Sequence, residues 1–436
     1  MIVSLRTRSR QQPANGFDEC SPGKLATFCF TMKTSTNTSH SFFNAIEPAP
    51  PDAILGLNEA FKSDPNPDKI NLTVGVYQNE QGKTPVFECI QVAEKRVVET
   101  ETNKSYLGIN GTPEYAAAVQ ELLFGAEHEI VQSGRAVTAQ SPGGTGALRT
   151  AADLVKRQFP AAKAWFSKPT WANHPAIFSA AGLEIDYYQY LDQQKTGLDF
   201  PEMISSLEHA KAGDLVVLHG CCHNPTGVDL SSQQWQELAE FIKERRLLPL
   251  VDCAYQGFSN GLTEDTQGIH ALVEGGLEVM ICSSFSKNLG LYGERVGAMT
   301  LVAENKNTAD AAMTHIKSCI RVNYSNPPKH GAALATIVLT SRELTGLWHT
   351  ELEQVRSRIK SVRTQFVTEM NSRCEKDFSF IQSQNGMFSF SGLTPVQVDQ
   401  LRNQYSIYIV GAGRINVAGI NDHNIGRLCD CIAKVL

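Results

Sequence analysis

Lys287 stands in Ser283-Ser-Phe-Ser-Lys-Asn288, among short hydroxyl side chains, and Arg295 follows in Tyr292-Gly-Glu-Arg-Val-Gly297. A lone lysine is usually a solvated surface group. A cationic neighbour, however, depresses an amine pKa and favours its nucleophilic form. The planar fork of an arginine also matches phosphate geometry. Ser141-Pro-Gly-Gly-Thr-Gly146 is a second candidate: Gly143, Gly144 and Gly146 let backbone N–H groups approach an anion where a helix begins, and Thr145 adds a hydroxyl. Alone, such a glycine turn is more often structural. It lacks the Lys-Ser/Thr of a P-loop and the spacing of a dinucleotide fold. Asp252 and Asn224 complete the set.

These residues share a topological position. The apolar runs at 215–218, 249–251 and 279–281 are short and partly β-branched, as fully buried parallel strands are. Asn224 follows the first run, Asp252 ends the second, and Ser284, Ser286 and Lys287 follow the third. Ligands of open parallel sheets sit beyond the carboxyl ends of the strands. A nucleophilic lysine, an anion cradle and a strand-end aspartate together suit pyridoxal phosphate, which needs a Schiff-base lysine, a carboxylate at its ring nitrogen and a phosphate site.

Helical stretches separate the runs. Trp235, Leu238, Ala239 and Ile242 recur at helical spacing behind Ser231 and Gln234, which have capping-box spacing. Leu148, Ala152, Val155 and Phe159 form another stripe after the glycine turn. The pattern predicts an α/β protein with helices covering a mostly parallel sheet. Near the C-terminus, Leu352, Val355, Ile359, Val362, Phe366 and Met370 mark a long amphipathic helix. Strand-like pieces follow at 387–390 and 407–410. They predict a smaller α+β domain, joined by the segment near residues 40–80.

The 436 residues are 42% hydrophobic and 19% charged, with a formal net charge of −6 and no long basic run. That argues against nucleic-acid binding. Nothing approaches the roughly 18 uninterrupted apolar residues of a membrane span. The 11 scattered cysteines are not a disulfide framework and suggest a reducing compartment. Cys221-Cys222-His223 and Cys429-x-Cys431 lack a second pair at zinc spacing, so they are read as buried thiols and no metal is expected. The first thirty or so residues carry Arg6, Arg8, Arg10 and Lys24 but also Asp18 and Glu19. They are read as a disordered tail in a cytoplasmic protein; a transit peptide to an organelle is the alternative.

Four further strings make the pattern specific. His223-Asn-Pro-Thr-Gly227, Asp252-Cys-Ala-Tyr-Gln-Gly-Phe258, Ser284-Phe-Ser-Lys-Asn288 and Arg321-Val-Asn-Tyr-Ser-Asn-Pro-Pro328 resemble the class I aminotransferases, nearest their aspartate branch. The resemblance runs from about Phe43 to the C-terminus. It implies a fold-type I enzyme in which Lys287 is both the cofactor lysine and the base that moves the α-proton. Asp252 would bind the pyridine N–H, with His174 as its buttress. Tyr255 and Asn224 would bond the ring oxygen, and Trp171 would stack on the ring. Gly143, Gly144, Thr145, Ser284, Ser286 and Arg295 would hold the phosphate, joined by Tyr106 of the second subunit. Arg414, in Gly413-Arg-Ile-Asn-Val-Ala-Gly419, and the backbone of Gly75 would meet the α-carboxylate. Arg321 would reach from the partner to the distal carboxylate. An arginine at each end is what a dicarboxylic amino acid requires.

The resemblance further implies a homodimer with shared sites, acting on amino acids and 2-oxo acids. The reaction would be L-aspartate plus 2-oxoglutarate giving oxaloacetate plus L-glutamate, by a ping-pong route. Val76, Thr84, Thr145 and Asn326 fit aspartate-type members, while Gln78 and Ser105 match neither branch closely. An aromatic or broad-specificity aminotransferase is therefore the runner-up. Expected segments are an extension at 1–42, an arm and part of the small domain at 43–83, a large cofactor domain at 84–350, and a small C-terminal domain at 351–436.

Overall fold

Short β-branched runs flanked by turns become strands here, and amphipathic runs become the helices that cover them. The structure, a computed structural model, describes residues 42–44, 46–49, 55–194, 196–411 and 413–436. Apart from Phe42, the extension expected at 1–42 lies outside the described residues. The strands are β1 (Ile70–Asn71), β2 (Ala136–Pro142), β3 (Lys163–Lys168), β4 (Glu184–Gln189), β5 (Leu215–His219), β6 (Leu248–Cys253), β7 (Val279–Ser284), β8 (Val296–Val302), β9 (Phe388–Phe390), β10 (Ile407–Tyr408) and β11 (Arg414–Asn416).

Strands β2 to β8 form one sheet in the order β2-β8-β7-β6-β5-β3-β4. Only β8 runs against the others. The apolar runs of β5, β6 and β7 are buried on both faces. Val216, Leu218, Val251 and Ile281 enter one core cluster, and Leu215, Val217, Leu250 and Met280 enter the other. This two-residue alternation requires helices on both sides of the sheet. The α/β expectation holds.

The helix Ser232–Arg245 starts on a complete capping box from Ser231 and Gln234 and buries Trp235, Leu238, Ala239 and Ile242. The helix after the glycine turn departs from expectation at both ends. It spans Gly143–Gln158, so Gly143 and Gly144 are already helical, while Ser141 and Pro142 belong to β2. Phe159 lies one residue past its end and is 52% exposed, so it is not part of the buried stripe. The helix Arg342–Asn371 buries all six apolar positions expected of it.

A third core cluster joins Ile70 and Leu72 to Val362, Phe366, Ile407, Ile415 and Ile432. There β1 pairs in parallel with β10, and β11 pairs antiparallel with β9. β11 has no counterpart among the strand-like pieces read from sequence. Arg363 is buried at this junction. It donates to the carbonyls of Ile381 at 3.2 Å, Asn385 at 3.2 Å, Gly386 at 2.7 Å and Phe388 at 2.7 Å, and to Ser389 Oγ. One guanidinium therefore folds the 381–389 loop around itself. Arg363→Met keeps the apolar stem and strands these acceptors. We expect a loss of about 3 kcal/mol, read as a lower urea midpoint at fixed protein concentration.

Candidate active site

The carboxyl ends of β5, β6 and β7 lie side by side, so whatever follows them converges. Asp252 occupies the penultimate position of β6, Ser284 ends β7, and Asn224 follows β5 through a short turn. Together with the glycine turn they wall a cavity of about 300 Å³. Twelve residues named from the sequence line it: Gly75, Gly144, Thr145, Trp171, Asn224, Asp252, Tyr255, Ser284, Ser286, Lys287, Arg295 and Arg414. Gly143 and His174 stand directly behind that lining. Tyr106 and Arg321 do not enter this chain's cavity. Tyr106 is 92% exposed, and Arg321 is exposed in the last turn of the helix Lys306–Asn323, bonded to Ser325 Oγ.

Lys287 Nζ projects over the Tyr255 ring, 4.8 Å from its centroid. Burial pushes its pKa below the ordinary lysine value; Asp252 opposes that and Arg295 adds to it. The amine is therefore biased toward its neutral, nucleophilic form. Behind it, Asp252 Oδ2 pairs with His174 Nε2 at 2.9 Å. His174 Nδ1 meets Thr170 Oγ1 at 2.9 Å, and that hydroxyl meets His219 Nε2 at 3.3 Å. Burial pushes the Asp252 carboxyl up, but the His174 hydrogen bond and the electrostatic pull of its surroundings, Lys287 included, outweigh it, leaving the pKa below the ordinary value. Burial holds His219 down at about 3, so that ring is neutral. Asp252 is thus an anion in a nearly dry wall, and its Oδ1 has no partner. Asn224 Oδ1 is buried and unpaired beside it.

At the other end, the helix Gly143–Gln158 starts without a side-chain cap, so its first N–H groups are offered outward. Gly143 has φ 74°, and an added Cβ there would stand 2.5 Å from Arg295 Nη2. Arg295 itself is held at φ 57°, a conformation that strains a non-glycine residue. It aims the guanidinium at the helix start. Ser284 and Ser286 add hydroxyls to the same end. A third charged element is Arg414, on β11. It donates to the Thr73 carbonyl, packs its guanidinium 4.3 Å from the Phe388 ring centroid, and leaves Nε unpaired. Burial lowers its pKa to about 10, so it is still a cation at neutral pH.

The donor set fits pyridoxal phosphate. An unpaired buried carboxylate oxygen calls for an N–H donor. A bare helix start with two hydroxyls and an arginine calls for a phosphate. A half-buried amine whose pKa is held below the ordinary lysine value lies in the same cavity. The comparison with known proteins agrees with this chemistry. The family model "Aminotransferase class I and II" matches residues 67–432. The chain belongs to that family. It is 52% identical over 395 residues to "Aspartate aminotransferase" of Haemophilus influenzae and 50% identical to that of Salmonella typhi. Both alignments span 90% of this chain and all of the relative. The crystal structure of an aromatic-amino-acid aminotransferase from Burkholderia pseudomallei, covalently bound to pyridoxal phosphate, superposes with a TM-score of 0.88 at 46% identity. It covers 91% of this chain and 100% of its own.

Four further residues line the aminotransferase cavity: Leu148, Ala254, Tyr292 and Phe388. Tyr292 and Ala254 stood inside strings already singled out, without a role. Tyr292 Oη accepts the Tyr77 N–H at 3.0 Å and ties the glycine-containing 75–77 segment to the cavity rim. Phe388 offered only a strand pattern in sequence. Its place depends on the Arg363 loop, which no local signal announces.

Proposed function

We propose that this aminotransferase interconverts L-aspartate plus 2-oxoglutarate and oxaloacetate plus L-glutamate. The observation that carries the reading is one cavity holding a neutral-biased lysine, an ionised and half-unpaired aspartate, an open helix start and a buried arginine with a spare N–H. The two relatives named for aspartate, at 52% and 50% identity, support that substrate.

Pyridoxal phosphate, when bound, supplies a carbonyl that takes up the amino group and a protonated ring that draws electrons from the α-carbon. Asp252, buttressed by His174, would hold the ring nitrogen protonated. Gly143, Gly144, Thr145, Ser284, Ser286 and Arg295 would fix the phosphate. Trp171, Asn224 and Tyr255 would orient the ring. Arg414 and the backbone of Gly75 would seat the α-carboxylate, so that the α-proton faces Lys287. Lys287 Nζ would then take that proton, a role its lowered pKa favours. Residues 84–350 would act as the cofactor-holding part, and 43–83 with 351–436 as the smaller part that brings Gly75 and Arg414. We place the protein in the cytoplasm. The nine described cysteines, all free, fit that placement.

Two expected ligands, Tyr106 and Arg321, are exposed outside the cavity. We assign them to the cavity of a second copy, in a homodimer with two shared sites. The test mixes two crippled chains, Lys287→Ala and Arg321→Ala, unfolded and refolded together. In a two-fold dimer every contact occurs twice with roles exchanged. One site of a heterodimer then takes both defects and the other takes none. About half the dimers are mixed, so about a quarter of wild-type aspartate activity should return. Isolated heterodimers with no gain over either parent would refute the shared site. The ratio of kcat/KM for aspartate to that for phenylalanine separates this reading from an aromatic enzyme on the same scaffold.

A further inference from the structure

The structure assigns a second, non-catalytic site to this chain: a surface site for a divalent transition-metal ion of the zinc class, held by His128, His270 and Glu274. His128 precedes the short helix Glu129–Gln132, while His270 and Glu274 occupy one face of the helix Gln267–Glu274. Their candidate ligand atoms all lie within 4.8 Å of one another. The two imidazoles meet edge to face with centroids 5.4 Å apart, and the Phe124 ring packs against both, at 5.8 and 6.2 Å. Two half-buried rings with an apolar wall on one side and an exposed carboxylate on the other are an arrangement that imidazole-preferring cations exploit.

The tautomer of His270 is set by its surroundings. Its Nε2 lies 3.1 Å from the Leu123 carbonyl, so Nε2 carries the proton and donates. The Nδ1 lone pair is left facing Glu274 Oε1, 3.9 Å away. A histidine that anchors one nitrogen on a carbonyl and offers the other outward has the supporting contact typical of metal-bound imidazole. The 3.9 Å gap is too long for a hydrogen bond. Two ligands at about 2.1 Å from one tetrahedral ion stand about 3.4 Å apart. The exposed Glu274 can close that difference by a small rotation. His128 gives its Nδ1 lone pair to the Ile130 N–H at 3.2 Å. Loading the ion turns this lone pair from the helix cap to the metal. Three protein ligands leave a fourth position for water.

The second such cluster among the described residues differs in kind. Cys221, Cys222 and Asp265 are fully buried, and the Asp265 carboxylate already accepts the N–H groups of Gly257, Ser259 and Asn260 at 2.8–3.0 Å. It has no need of a cation.

The test uses the cofactor-loaded protein, dialysed against chelator and titrated with ZnCl2 by calorimetry. One equivalent per chain is expected. Its affinity should fall at least tenfold in His270→Ala and in His128→Asn, and also fall in Glu274→Gln. Asparagine can still cap the Glu129 helix, so His128→Asn removes the imidazole without removing the cap. Circular dichroism and transaminase activity of these variants should match wild type, since none of the three residues lines the catalytic cavity. With CoCl2 the same equivalent should give visible ligand-field absorption and no thiolate charge-transfer band. No saturable equivalent, one that either histidine variant leaves unchanged, or one that carries the thiolate band overturns the proposal.

Discussion

Lys287→Ala should bind pyridoxal phosphate and turn over aspartate at least about ten-thousand-fold more slowly than wild type, the upper range for a positioned acid–base group. The reason is geometric as well as chemical. Lys287 Nζ sits over the Tyr255 ring in a cavity whose other ionisable groups are committed elsewhere. Asp252 is tied to His174, and Tyr255 is pushed well above its ordinary pKa by burial. Neither can replace the amine as a base at neutral pH. The measurement is exchange of the aspartate α-proton for solvent deuterium, followed by NMR. Wild type should exchange it during turnover, and Lys287→Ala should leave it in place while still showing bound cofactor by absorbance. Exchange in the variant at a wild-type rate would remove Lys287 from the proton transfer.

The second large effect concerns Arg414. Its substitution by alanine should lower kcat/KM by roughly thirty- to several-thousand-fold, the equivalent of leaving a desolvated carboxylate unpaired at about 2–5 kcal/mol. Because every amino acid carries an α-carboxylate, the loss should be similar for aspartate, glutamate and alanine. Arg414→Lys should recover little. A lysine is a point charge and lacks the second N–H of the fork, while Arg414 spends one nitrogen on the Thr73 carbonyl and keeps Nε spare. A loss confined to dicarboxylic substrates would move Arg414 to the distal end of the substrate.

The catalytic wall was legible in the sequence because it is built from strand ends. Once 215–218, 249–251 and 279–281 read as buried parallel strands, the residues after them had to share one edge of the sheet. That reasoning reached Asn224, Asp252, Ser284 and Lys287 without any relative. The resemblance added Gly75, Trp171, Tyr255 and Arg414, whose approach to the cavity has no local signature. Gly75 and Arg414 come together through the pairing of β1 with β10 and the hydrogen bonds from Arg414 and Asn416 to the 73–76 backbone, contacts between the two ends of the chain. Phe388 stayed hidden because its position is imposed by a buried arginine some 25 residues earlier. Phe159 was misplaced because helical spacing continues past the true helix end. The helix ends at Gln158, and Phe159 begins the turn before β3 with its ring half exposed.

The stitching of the 73–76 segment onto β11 also orders events on the ribosome. Thr73 receives its Arg414 donor 341 residues later, and Asn416 reaches Val74 and Val76 across 342 and 340 residues. At about 5–20 residues per second, Ile70 and Leu72 wait roughly 17–70 s after synthesis before their partners exist. During that interval β5, β6 and β7 already have one another to pair with, but the Arg414 end of the cavity cannot form. Nascent chains halted before Arg414 would therefore carry a nearly finished cofactor wall with an apolar N-terminal segment uncovered. Such chains would leave Ile70 and Leu72, both buried in the finished fold, without their C-terminal cover until the last residues are released.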